Sequence, residues 1–114
     1  MKEGHPMPIY NKLIRDRILE IIEKDGKTYN IEMLSKERHE EEIKAKLTEE
    51  VQEYQATQNN HDALEELADI LELVHAALPL HNATYEQLEE VRVKKKEKRG
   101  GFDQGIYLIE VHDD

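Results

Sequence analysis

The sequence predicts an all-α fold, a bundle of about four helices with a minor two-stranded β ribbon. Three observations carry this. Leu64, Leu67, Leu71, Val74 and Leu78 recur at spacings of 3, 4, 3 and 4, the repeat of a helix that buries one side. Helix start and stop signals bracket the other periodic segments: Ser35, the pair Thr84 and Gln87, Pro79, and Gly100-Gly101. Strand formers alternate in only two short stretches, 28–33 and 106–111.

Taken in order, residues 1–8 read as a loose leader. Residues 9–24 read as an extended approach followed by a helix, with Leu13, Ile14, Ile18 and Ile21 or Ile22 at helical spacing and Asp25-Gly26 as the stop. Tyr29, Ile31 and Met33 alternate with polar neighbours, as in a short strand. Ser35 caps a long second helix running to about Thr57, with Ile43, Leu47, Val51 and Tyr54 as its stripe. Gln58, Asn59 and Asn60 break it. Asp62 and Glu65 resemble a capping box opening the third helix, which Pro79 ends. Thr84 and Gln87 form a second capping box for a last helix from about Tyr85 to Arg99, whose stripe is thin (Leu88 and Val91). Tyr107, Ile109 and Val111 then alternate, and this stretch is expected to pair with 28–33.

Composition narrows the class. The 114 residues make one domain, spanning the whole chain. With 26 acidic against 16 basic residues the formal charge is −10, which argues against nucleic acid as the main partner. No apolar run approaches the ~20 residues that cross a bilayer, and residues 1–10 have no signal-peptide core. The chain contains no cysteine, so disulfides, thiolate metal sites and cysteine nucleophiles are excluded. The expectation is a soluble, cytoplasmic protein. A small acidic domain with a thin core is also expected to self-associate.

One constellation stands out from the abundant glutamate. Glu50 and Glu53 lie three apart on the second helix, and Glu66 and Asp69 repeat that spacing on the third. Residues three apart share a helix face. Glu50 adjoins Val51 as Glu66 adjoins Leu67, so both pairs flank the apolar stripes. Antiparallel packing of the two helices then brings four carboxylates together, which demands a cation or bound protons. Oxygen donors alone select hard ions, Mg2+, Mn2+ or Ca2+. Glu49, Glu65 and Glu72 point further away and read as supporting or solvated residues. A solvated helix face is the bland alternative for the quartet as a whole.

Positive charge is local. Lys94, Lys95, Lys96, Lys98 and Arg99 crowd the end of the last helix, where they complement the macrodipole or hold an anion beside Gly100-Gly101. Lys12, Arg15 and Arg17 surround Asp16, and Lys46 lies one turn before Glu50. The six histidines show no ligand spacing on one helix face, and no Ser–His–Asp set, phosphate loop or dinucleotide fingerprint is present.

These residues resemble a known family. Glu50-x-x-Glu53, twelve intervening residues and Glu66-x-x-Asp69 look like the signature of the MazG-type all-α nucleoside triphosphate pyrophosphohydrolases, which include phosphoribosyl-ATP pyrophosphatases and dimeric dUTPases. Residues 10–18, Tyr-Asn-Lys-Leu-Ile-Arg-Asp-Arg-Ile, resemble the opening of a phosphoribosyl-ATP-pyrophosphohydrolase-like subgroup, and Lys98-Arg99-Gly100-Gly101-Phe102 resembles its C-terminal segment. The resemblance implies a MazG-like bundle and Mg2+-dependent hydrolysis, with Mn2+ as a substitute, of a nucleoside triphosphate, non-standard ones included. Cleavage at the α–β anhydride gives the monophosphate and pyrophosphate. It implies Glu50, Glu53, Glu66 and Asp69 as catalytic metal ligands, any one of them the base. Lys12, Arg15, Lys46, Lys96 and Arg99 become candidates for the phosphates, and the assembly a homodimer or homotetramer. Two rival readings are phosphoribosyl-ATP hydrolysis and a non-catalytic acidic helical interaction protein.

Overall fold

A computed structural model describes residues 8–113. The chain is all-helical: α1 (Ile18–Lys24), α2 (Lys36–Ala56), α3 (Asn60–Ala77), a 3-10 turn (Leu78–His81) and α4 (Tyr85–Arg99). The leader expected at residues 1–8 lies outside the described residues except for Pro8, which is exposed. No helix is long and apolar enough to cross a membrane.

The caps explain the boundaries. The Ser35 hydroxyl accepts the Arg38 amide at 3.2 Å and starts α2. At α3 the cap is Asn59, whose side chain accepts the Asp62 amide at 2.9 Å. Asp62 is therefore not the cap the sequence suggested; its carboxylate accepts from the Asn59 side-chain amide instead, at 2.9 Å. The Thr84–Gln87 capping box is present in both directions. Gly100 ends α4 with φ +81°, a conformation that side-chain-bearing residues rarely adopt. The first helix is shorter than expected, two turns only, because the backbone does not become helical before Ile18.

The expected β ribbon does not form: among the described residues there is no strand. Residues 28–33 and 106–111 make no backbone hydrogen bonds to one another, and a strand without a ladder partner has nothing to hold it extended. Ile106, Tyr107, Leu108, Ile109 and Val111 are consequently all more than 70% exposed.

The three-residue link 57–59 folds α2 and α3 into an antiparallel hairpin, the main packing in the chain. Ile43 of α2, 2% exposed, is the buried apolar residue of that seam. On α3 the seam does not follow the leucine repeat. Leu64, Leu67 and Leu71 are 67%, 45% and 49% exposed. The half-buried positions include Ala63, Glu66, Ile70, Leu73 and Ala77, the same 3, 4, 3, 4 rhythm moved one step around the helix; Asp69 and, from the repeat itself, Val74 are half-buried beside them. On α2, Val51 and Tyr54 are likewise exposed, and Glu50 takes the buried position.

Turning about 100° per residue from Glu50 and Glu66 divides the hairpin into two faces. Because the helices are antiparallel, equal rotations lead to the same side. Val51, Tyr54, Leu64, Leu67 and Leu71 form an apolar face; Glu49, Glu53, Glu65 and Asp69 form an acidic one. α4 has no extensive packing on α2 or α3. His75 near the end of α3 stacks on Tyr85 at the start of α4, ring centroids 4.7 Å apart and nearly parallel.

Candidate metal centre

The hairpin brings the carboxylates together more tightly than flanking positions would allow. Glu50 is 6% exposed, and it sits in the seam rather than beside it. Glu50, Glu66 and Asp69 each offer an oxygen within 4.8 Å of the others. Glu49, Glu50 and Glu53 form a second such group, with Glu50 common to both. Glu49, which sequence reasoning set among the supporting residues, thus joins the cluster. Its signal was adjacency to Glu50 on the acidic side of the hairpin.

Two oxygens are orphaned. Glu50 Oε2 and Glu66 Oε2 are buried and have no hydrogen-bond partner. An ionised carboxylate has no proton to offer its neighbour, so the pair is satisfied only by a shared proton or a cation. Burial, above all, drives the Glu50 carboxyl up to about 7; sharing its proton with Glu66 and Glu53, and the charges of Glu53 and Asp69, add to this. For Glu66 the hydrogen bond with Glu50 acts downward. Desolvation, a hydrogen bond with Glu53 and the charges of Glu53 and Asp69 outweigh it, and the net direction is up. Glu49 is held below the usual range, chiefly by its hydrogen bond from Lys46, with the charges of Lys46 and Lys12 helping.

Three of the five basic candidates reach this cluster. The Arg15 guanidinium Nη2 donates to Asp69 Oδ1 at 2.5 Å. Lys12 Nζ lies 3.6 Å from Glu49 Oε1. Lys46 Nζ lies 3.1 Å from Glu49 Oε2 and 3.7 Å from Glu50 Oε1. Lys96 and Arg99 do not reach it: they occupy the exposed last turns of α4 and make no ion pair with the quartet among the described residues. A shallow cleft of about 270 Å3 opens beside the quartet at the α2–α3 link, lined by Glu53, Ala56, Thr57, Asp62, Glu65 and Glu66. No family model, curated protein or solved structure matches this chain.

The donor set fits a hard divalent ion. It is all oxygen, it carries two buried unpartnered acceptors, and its ionised form is electrostatically costly without a cation. The surrounding lysines and arginine offset some of that charge from outside but touch neither orphaned oxygen.

Proposed function

We propose that this chain is a metal-dependent hydrolase of nucleoside triphosphates, cleaving at the α–β anhydride to release pyrophosphate. The observation that carries this reading is the buried, unpartnered oxygen pair of Glu50 and Glu66 inside a cluster with Glu49, Glu53 and Asp69, beside Lys12, Arg15 and Lys46. The resemblance of the Glu50–Asp69 spacing, of residues 10–18 and of residues 98–102 to the MazG-type enzymes supplies the reaction class.

Glu50, Glu53, Glu66 and Asp69 would hold Mg2+, with Mn2+ as a substitute. A bound ion there would withdraw charge from triphosphate oxygens and lower the pKa of a coordinated water. Glu50 and Glu66 would anchor the donor set, since each holds one buried oxygen in the seam. Glu53 is exposed and lines the cleft, which favours it as the carboxylate that would accept a proton from a water at the rim. Lys46 stands on α2 with its side chain 19% exposed, and its ammonium is a fixed positive charge for phosphate. The cleft beside Glu53 and Thr57 gives the nucleoside end of a substrate room next to the cluster.

The same reading includes a homo-oligomer, a homodimer or a homotetramer. The chain exposes 10826 Å2, against about 6,500 Å2 for a compact monomer of its mass. That excess is larger than one partner's share of an obligate interface, and the exposed non-helical segments account for part of it. The apolar face of Val51, Tyr54, Leu64, Leu67 and Leu71 is the surface a second copy would cover.

Product analysis tests the activity. A panel of standard and modified nucleoside triphosphates with Mg2+ is expected to yield pyrophosphate from at least one member, and Glu53→Gln and Asp69→Asn to lose that release. Orthophosphate as the primary product, or undiminished rates in both variants, contradicts the reading.

A further inference from the structure

We propose that Arg15 and Lys12 are the cluster's own counter-cations, and that a divalent ion competes with the 10–17 segment for the acidic face; this rests on reading the quartet as an ion site. Arg15 is tied to Asp69, 54 positions away in sequence, and Lys12 to Glu49. The segment carrying them is not helical. Its two basic side chains are 57% and 43% exposed, and between them only Leu13 and Ile14 are half-buried. The segment is therefore held on the acidic face mainly by charge.

An ion among Glu50, Glu66 and Asp69 would put two positive charges beside the Arg15 guanidinium. Like charges at contact distance repel strongly where water is partly excluded. The guanidinium is the partner that can leave, because exposed ion pairs are weak and the segment has little else to hold it. Lys46 is different. It is rooted on α2 one turn before Glu50 and cannot be released by motion of the segment.

Once released, Arg15 and Lys12 remain tethered beside the site with their donors free. A guanidinium in that position suits two oxygens of one phosphate group. Ion loading thus exchanges an internal carboxylate partner of Arg15 for an external phosphate one. The substrate class this serves is a polyphosphate that arrives with the ion or after it.

The opposing possibility is that Arg15 stays on Asp69 and orients it as a ligand, in which case removing Arg15 weakens ion binding. Mn2+ titration followed by electron paramagnetic resonance separates the two. Arg15→Gln is expected to bind Mn2+ more tightly than wild type, by up to about fivefold, the most an exposed pair supports. Lys12→Gln is expected to change in the same direction by less, and the charge-retaining Arg15→Lys to stay near wild type. Arg17→Gln, an exposed neighbour at the start of α1, should leave Mn2+ affinity unchanged. Circular dichroism of each variant shows that the helices are kept.

Weaker or unchanged Mn2+ affinity in Arg15→Gln overturns the competition while leaving the ion site standing. Absence of saturable Mn2+ binding in wild type removes the ion-site reading and this inference with it.

Discussion

Glu50 of α2 and Glu66 of α3 meet in the seam of the hairpin, and each keeps one buried oxygen without a hydrogen-bond partner. In a chain whose buried apolar core is Ile43, two acids occupy positions that leucine or alanine would fill at lower cost. The arrangement makes the protein's stability depend on what neutralises that pair.

The first consequence is a pH dependence of the metal-free protein. The folded-state pKa of Glu50 is raised to about 7. A raised carboxyl contributes stability that is fully present below its unfolded value and lost as pH rises through its folded one. Glu66 is raised as well and acts in the same direction, whereas Glu49 and Glu89, whose pKa values are lowered, act in the opposite one and only toward the acidic end of the window. Chelator-treated wild type should therefore lose stability between about pH 5 and pH 8, by up to about 3 kcal/mol. Urea midpoints at several pH values check this, and Glu50→Gln should remove most of the slope.

A divalent ion should reverse the loss. At a hundredfold excess over its Kd, Mg2+ stabilises the folded state by about 2.7 kcal/mol. Melting curves at pH 8 should shift upward with Mg2+ in wild type. Glu50→Gln should be more stable than wild type without metal and respond little to its addition. A full Mg2+ response in Glu50→Gln would show that the ion binds elsewhere.

Truncating the seam should be costly. Ile43→Ala is expected to lose about 2–5 kcal/mol, the range for emptying a buried aliphatic site. Denaturant unfolding of the α2–α3 hairpin reads this directly. Leu64→Ala, on a side chain 67% exposed, should cost far less in the isolated chain.

The apolar face should govern assembly. Leu67→Lys is expected to shift sedimentation toward the monomer, and the melting temperature should rise with protein concentration in wild type but not in the variant. Identical sedimentation of the two proteins would place the interface elsewhere.

Much of the fold was legible because local signals decided it. Ser35, the Thr84–Gln87 box and Gly100 act within one helical turn, and each does in the structure what its residue type suggests. The seam was misread because α3 is apolar on two sides. Leu64, Leu67 and Leu71 form the more hydrophobic repeat, and hydrophobicity alone selects them. Packing instead selected Ala63, Ile70 and Leu73, with Glu66 between. The carboxylate quartet was legible from its 3-residue spacings, yet its depth was not, because Glu50 was placed beside the seam rather than in it. The Arg15–Asp69 pair spans 54 positions, and no spacing rule links a loop to a helix at that distance. The two alternating stretches failed as strands because alternation shows what a residue could pair with, not whether a partner is present.

On the reading proposed here, the seam carboxylates of Glu50, Glu66 and Asp69 hold a divalent ion. Crystals soaked in Mn2+ and measured near its absorption edge test this most directly. An anomalous peak is expected within bonding distance of carboxylate oxygens from Glu50, Glu66 and Asp69. A well-ordered seam with no peak there, in crystals that hold Mn2+ at other surface carboxylates, would contradict it.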